Sequence, residues 1–315
     1  MAPGIRLKWL DWMKALGMLA IVYGHLFSYG ALYFYAFSVP VFFVISGFLF
    51  KEGQEASVFW GKLWRQLIVP MLLISLVSNV YLLLNSVRHH DLDTARLFFP
   101  LGILSGEYQY LGICWFIYTL ALVRILSWLV KQPWMRLGLA VAFLVAAFFL
   151  SPLLQGKEVE NAIPVVLLAY PFFLAGQWFR KSGWTSSEVP WWVCLLAIAA
   201  LTALLVLIAR ANDYVFVYRF IFGNNLLLYL AGGLVGTGIL YFLSRLMKGF
   251  ASGWIETIAK GSILILGFHQ YILLLYRYFF DQNPFDILAA VGVVLLFIPL
   301  IRLCSKYFPA LIGGR

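Results

Sequence analysis

The chain has 315 residues, of which 63% are hydrophobic and only 11% are charged, and its mean hydropathy is +0.91. A soluble domain cannot bury that much apolar surface, so the composition predicts a membrane protein with several spans. The net charge of +10 does not indicate nucleic-acid binding, because the basic residues are scattered singly between apolar runs. That scatter is typical of loops that set membrane topology.

The first apolar stretch, residues 9–29, is long enough to cross a membrane as a helix, yet it contains Asp11, Lys14 and His25. Ionisable groups at membrane depth are costly and usually face a bundle interior or a water-filled cavity. The spacing of Lys14 and His25 places them within about 20° on one helix face and roughly 16 Å apart along its axis. Asp11 lies within about 60° of Lys14, one turn earlier. This stretch therefore predicts a helix with a polar face at two depths.

Each of these side chains has a structural and a functional interpretation. His25 can hydrogen-bond a neighbouring helix, but a buried neutral histidine can also take a proton from a hydroxyl as a general base. Asp11 and Lys14 can form an intramembrane ion pair, or Lys14 can face an anionic ligand while Asp11 orients it. The spacing alone leaves both interpretations open.

Hydropathy predicts ten spans: 9–29, 33–50, 67–85, 110–130, 137–153, 163–179, 191–209, 224–243, 262–280 and 286–302. The aromatic residues 214–223 could form an interfacial or re-entrant piece before the eighth span, so nine or eleven spans stay open. With the N-terminus in the cytoplasm, fifteen of the 23 Lys and Arg residues fall in inner segments and six in outer ones. The bias predicts an all-α transmembrane bundle of about ten spans with both termini in the cytoplasm. We expect residues 1–315 to form a single transmembrane domain without an additional soluble domain.

Further polar side chains lie in or beside later apolar runs. Ser46 and Gly47 in the second span favour close helix packing. Arg65 follows an inner loop, where a topological role is the default. Arg124 lies deeper and needs an anionic partner or a path to the interface. Trp115 is by default a residue of the interfacial aromatic belt.

The remaining candidates are equally ambiguous. His269, midway through the ninth span, has the same two interpretations as His25. Asn224, at the outer start of the eighth span, could contact a hydrophilic substrate or cap the helix. His89 and His90 lie near two aspartates, but a solvated loop explains them better than a metal site does. The three cysteines are far apart without metal-ligand spacing, so no metal is expected.

Together, these elements resemble the integral-membrane acyltransferase family 3, a group of bacterial O-acetyltransferases that act on surface sugars. The first span resembles the family's opening pattern of an acidic residue, a basic residue and, after ten further residues, a histidine. The second resembles its FFxxSGFL element. The matching residues are Asp11, Lys14 and His25; Phe42, Phe43 and Ser46 to Leu49; Arg65 and Pro70; Trp115 and Phe116; PFFLAGQWFRK at 171–181; and His269.

The resemblance implies an acyl donor, usually acetyl-CoA, supplied from the cytoplasm, and a hydroxyl acceptor on a cell-surface glycan or lipid-linked sugar. It also implies that Lys14 and His25 are the essential pair, with lysine in place of the more frequent arginine, a point charge instead of a bidentate fork. Basic residues near the inner face, namely Lys14, Arg65 and Arg124, suit the phosphates of coenzyme A. Among subgroups, the chain is most similar to short sugar acetylases like fucose 4-O-acetylase.

The leading hypothesis is an O-acyltransferase of the bacterial cytoplasmic (inner) membrane, with His25 as base and Asp11 as the orienter of Lys14. Ser46, Trp115, His269 and Asn224 are expected to line the substrate cavity. The expected partners are acyl-CoA, the sugar acceptor and membrane lipids, but no nucleic acid; a homo-oligomer stays open. The alternatives are a transporter or flippase for an anionic or glycan substrate and a ligand-sensing membrane domain.

Overall fold

The structure is a computed structural model that describes residues 6–88, 99–107, 111–154, 161–250 and 253–314. Within these ranges the fold is helical, and extended pairing is limited to two isolated bridges, Glu107–Asn161 and Phe216–Ile221. The α-helices are α1 (Lys8–Gly24), α2 (Ala31–Tyr35), α3 (Pro40–Leu49), α4 (Ala56–Leu63), α5 (Val69–Arg88), α6 (Phe99–Ser105), α7 (Trp115–Leu129), α8 (Pro133–Leu154), α9 (Val165–Lys181), α10 (Trp191–Asn212), α11 (Leu226–Met247), α12 (Gly253–Lys260), α13 (Ser262–Phe279) and α14 (Asp286–Tyr307). The predicted all-α class is confirmed.

Seven helical stretches among the described residues are long and apolar enough to cross a membrane. They are Ala31–Leu49, Ala56–Val77, Pro133–Leu154, Trp191–Asn212, Leu226–Phe250, Ser262–Phe279 and Asp286–Tyr307. The three other predicted spans coincide with the shorter helices α1, α7 and α9, which have 17, 15 and 17 residues. The count of ten spans and the location of the termini therefore stay predictions.

The aromatic segment before α11 is a compact loop. It contains a single 3-10 turn, Val217–Arg219, and it is closed by backbone hydrogen bonds between Phe216 and Ile221. Phe220 has a positive φ of 57°, which allows the chain to reverse direction inside so short a loop. The loop is therefore a separate feature from α11 and contributes to the site described below.

Helices α3 and α9 cross at two glycines. A Cβ atom on Gly47 would lie 1.9 Å from the carbonyl oxygen of Phe173, and one on Gly176 would lie 2.0 Å from that of Val44. Any side chain would collide with the backbone of the other helix, so only glycine permits this approach. The SGFL and PFFLAG segments of the sequence are thus the two sides of one packing contact.

A buried arginine fixes the chain beyond α3. Arg136 is paired with Glu52 and donates hydrogen bonds to the carbonyl oxygens of Ser127 at 3.0 Å and Val130 at 2.6 Å. Lys181 lies 2.9 Å from the same carboxylate. Desolvation alone would raise the pKa of Glu52, but hydrogen bonds and charges from Lys181 and Arg136 hold it below its ordinary value. The cluster holds in place the loop that begins with Lys51.

Candidate active site

Two cavities follow one another along α1 and share a wall. The larger has a volume of about 1130 Å³ and includes His25 in its lining; we call it the histidine cavity. The smaller has a volume of about 370 Å³ and is lined by Lys14, Lys51, Lys62 and Arg124, among other residues; we call it the basic cavity. Among the described residues, three line both cavities: Ile21, Phe116 and Leu266.

His25 directly follows the last residue of α1 and keeps helical backbone angles, with φ −70° and ψ −7°. Its Nδ1 atom lies 2.8 Å from the carbonyl oxygen of Ile21. A carbonyl oxygen can only accept, so Nδ1 carries the proton and the lone pair of the neutral ring is on Nε2. This tautomer leaves Nε2 as the nitrogen that can take a proton from a hydroxyl in the histidine cavity.

His269 lies against His25, with 5.0 Å between the ring centroids and an interplanar angle of 77°. It is fully buried, and its Nδ1 donates to the carbonyl oxygens of Ile265 and Leu266 at 2.9 and 3.0 Å. Its Nε2 has no hydrogen-bond partner among the described residues. His269 is absent from the lining of both cavities, so the structure places it behind His25 instead of at the cavity surface.

The basic cavity is lined by four cations and, among the described residues, by no carboxylate. Lys62 donates a hydrogen bond to the side-chain oxygen of Gln54 at 2.9 Å. The buried Nε of Arg124 has no partner within the described ranges, and no described residue forms an ion pair with Lys14. Cationic groups that line one cavity without a carboxylate among them favour an anionic ligand, because charge-assisted hydrogen bonds to an anion are among the stronger polar contacts in proteins.

The histidine cavity has an aromatic side. Trp115 and Tyr218 face each other with ring centroids 6.2 Å apart, and Tyr35 and Phe216 have centroids 5.1 Å apart. All four rings line the cavity. Aromatic rings beside polar groups suit a ligand with both apolar faces and hydroxyl groups, such as a sugar.

Comparison with known protein families identifies the family of this chain. The sequence matches the acyltransferase domain of acyltransferase family 3 over residues 7–305. The chain belongs to acyltransferase family 3. No curated protein and no solved structure matches it. Membership implies acyltransferase activity, with an acyl donor and an acceptor as substrates, and the matched range includes every residue that lines the two cavities.

Asp11 and Arg65, two residues of the family 3 pattern, have partners other than those expected. Asp11 forms an ion pair with Arg6 at 2.6 Å, and Arg6 also binds Glu256 of α12 at 2.5 Å. The carboxylate therefore ties the start of α1 to α12, and the structure does not pair it with Lys14. Arg65 is exposed, donates from Nε to the carbonyl oxygen of Gly61 at 3.1 Å, and is not part of the lining of the basic cavity.

The residues that were expected to line the substrate cavity lie in different parts of the structure. Ser46 lines the basic cavity and Trp115 the histidine cavity. Asn224 lines neither cavity; its backbone N–H donates to the carbonyl oxygen of Asn212 at 2.7 Å. The neighbouring Asn225 caps α11 by accepting from the N–H of Leu227 at 2.8 Å. The asparagine pair is thus placed in the turn between α10 and α11.

Lys51, Lys62 and Arg277 are lining residues that the sequence analysis did not single out. Lys51 directly follows the SGFLF segment, and Lys62 lies three positions before Arg65; in both cases proximity to a family motif was the signal. Arg277 lines the histidine cavity, where it pairs with Asp286 at 2.5 Å. The sequence feature that could have pointed to Arg277 is its position eight residues after His269, about two helical turns along α13.

Among the described residues, no group of three or more His, Cys, Asp or Glu side chains could hold a metal ion. His89 and His90 lie outside the described residues.

Proposed function

We propose that this acyltransferase is embedded in the bacterial inner membrane as a single domain and transfers an acetyl group from cytoplasmic acetyl-CoA to a hydroxyl of a cell-surface glycan or lipid-linked sugar. One observation carries the proposal. The basic cavity and the histidine cavity share a wall. The basic cavity contains cations where a phosphorylated donor would bind, and the histidine cavity contains His25 and aromatic rings where a hydroxylated acceptor would bind.

On the donor side, Lys14, Lys51, Lys62 and Arg124 bind the phosphates of coenzyme A. Charge-assisted hydrogen bonds to phosphate are among the stronger polar contacts in proteins. The pantetheine arm then extends along α1 towards His25, over the roughly 16 Å that separate Lys14 from His25 on the helix. This geometry brings the thioester to the shared wall while the nucleotide stays on the cytoplasmic side.

On the acceptor side, the Nε2 of His25 takes the proton of the sugar hydroxyl as its oxygen attacks the thioester carbonyl carbon. A carbon–oxygen bond forms and the carbon–sulfur bond breaks. The departing thiolate takes the proton back from His25, which yields an ester and free coenzyme A. The hydrogen bond from Nδ1 to Ile21 holds the ring in the tautomer that this step requires.

The test uses inside-out membrane vesicles that carry the wild type, His25→Ala or the control Lys8→Ala at matched expression; Lys8 is an exposed residue of the same helix that lines neither cavity. Isotopically labelled acetyl-CoA is added to the exposed cytoplasmic face, and label is followed into glycan and lipid-linked sugar fractions. General bases contribute about 10² to 10⁴ in rate, so we expect at least a hundredfold loss with His25→Ala and none with Lys8→Ala. Full transfer by a folded His25→Ala protein would contradict the assignment. Glycan movement without acetyl-CoA consumption would favour a transporter.

A further inference from the structure

The wall between the two cavities is a single layer of side chains. Ile21 of α1, Phe116 of α7 and Leu266 of α13 line both cavities, and all three are buried, with exposures of 3%, 7% and 8%. We call these three residues the septum. Among the described residues, these are the side chains that the two linings share, so they bound the passage between the basic cavity and the histidine cavity.

The septum is directly coupled to the histidine pair. The carbonyl oxygen of Ile21 accepts the hydrogen bond from His25 at 2.8 Å, and that of Leu266 accepts one from His269 at 3.0 Å. Each histidine is thus anchored to a septum residue one turn earlier in its own helix. His25 lines the histidine cavity one helical turn after Ile21, so a hydroxyl that it deprotonates reacts close to the septum.

The septum side chains have little freedom to move aside. The ring of Phe116 packs against Phe43, Phe42 and Trp115, with centroid distances of 4.9, 6.1 and 6.1 Å. Ile21 is β-branched within a helix, where one χ1 rotamer strongly dominates. Overfilling a packed site forces strained rotamers or backbone shifts, so the space at the septum is fixed.

We propose that Ile21, Phe116 and Leu266 select the acyl chain by its length and favour acetyl over longer groups. The inference rests on the proposed function, because it takes the septum as the place where the thioester meets the hydroxyl. The acyl chain hangs from the reacting carbon and must fit among these three side chains. An acetyl group adds only a methyl there, whereas each further methylene has to displace a packed atom.

The first experiment measures binding and requires no turnover. Unreactive S-ethyl-CoA and S-hexyl-CoA thioethers serve as probes for the wild type, Leu266→Ala, Phe116→Leu and the control Leu264→Ala. Leu264 is a leucine of the same helix, only 1% exposed, that lines neither cavity, so its loss is matched in volume. One methylene in an apolar pocket changes selectivity by about tenfold or more, and we expect the wild type to prefer S-ethyl-CoA at least tenfold.

Leu266→Ala and Phe116→Leu should reduce that preference about tenfold, while Leu264→Ala keeps it. In parallel, the ratio of kcat/KM for hexanoyl-CoA over acetyl-CoA should rise in the same two variants. The inference is overturned if the wild type binds both thioethers equally, or if both septum variants keep its preference. If the two septum variants shift the preference but the wild type transfers no acetyl group, the proposed reaction is wrong, while selection of the acyl chain by the septum is supported. Binding of neither probe overturns both.

Discussion

At the scale of single residues, Lys14 shares the basic cavity with other cations and, among the described residues, with no carboxylate in the lining. Lys51, Lys62 and Arg124 line the same cavity, and Asp11, the nearest carboxylate in the sequence, is paired with Arg6. The four side chains present positive charge to one small cavity. A phosphate group bound there would form charge-assisted hydrogen bonds with them, so the cluster favours the binding of an anionic donor.

Replacing Lys14 with alanine should therefore weaken donor binding more than it slows the chemical step. Hydrogen bonds to charged groups contribute about 1.5–3 kcal/mol, so Lys14→Ala should raise the KM for acetyl-CoA by about tenfold or more and change kcat less. Lys14→Arg keeps the charge and should stay close to the wild type. Initial rates across a range of acetyl-CoA concentrations measure both parameters.

The matched control is Lys8→Ala, because Lys8 begins the same helix and does not line the basic cavity. An unchanged KM in Lys14→Ala, or an equal rise in Lys8→Ala, would contradict a specific role for Lys14.

At the scale of helices, the crossing of α3 and α9 positions residues of the basic cavity. Ser46 and Lys51 lie on either side of the glycine contact in the sequence, and both line that cavity. A helix pair that approaches backbone to backbone has little room for sliding. The glycines at positions 47 and 176 therefore matter to the site although neither touches a cavity.

A methyl group at Gly47 tests this dependence. Gly47→Ala places a Cβ atom 1.9 Å from the carbonyl oxygen of Phe173, and the backbone of α9 cannot yield as a flexible side chain does. We expect a loss of at least about 1–3 kcal/mol, the usual cost of overpacking, seen as a lower unfolding temperature in detergent. Gly138→Ala is the control, since a Cβ there meets nothing within 4 Å and alanine favours helix. Equal unfolding temperatures for the two variants would refute the packing role.

The long helices could be predicted from hydropathy, because each predicted span coincides with one helix or with two consecutive ones, whereas the short helices α4, α6 and α12 lie outside the predicted spans. The partners of their polar groups could not. Arg6 joins Asp11 to Glu256 across 250 residues, and Arg277 donates to the carbonyl oxygen of Leu26 across 251. Helical periodicity fixes the face of a helix on which a residue lies, but not which other helix packs against that face. The shared face of Lys14 and His25 could therefore be predicted from the sequence, whereas the septum between their cavities could not.

At the scale of the whole molecule, the proposed reaction needs the two cavities to open towards opposite sides of the membrane. The basic cavity includes Lys51 and Gln54 of the loop after α3, and the histidine cavity includes Asp281 and Gln282 of the loop after α13. The distribution of Lys and Arg residues predicts that the first loop lies in the cytoplasm and the second outside. A cytoplasmic donor and a surface acceptor then reach the septum without either one crossing the membrane.

Labelling of one introduced cysteine at a time tests this arrangement. The three native cysteines, Cys114, Cys194 and Cys304, are free and buried, so their background labelling should be low. Gln282→Cys and Glu55→Cys place thiols at exposed loop positions beside the histidine cavity and the basic cavity. A membrane-impermeant maleimide should label position 282 in intact cells and position 55 only after permeabilisation, because charge on the reagent prevents its passage through the bilayer. Labelling of the wild-type protein measures the background from the native cysteines. The reverse pattern would invert the topology. Labelling of both positions in intact cells would place both cavities on one side of the membrane, which excludes transfer from a cytoplasmic donor to a surface acceptor.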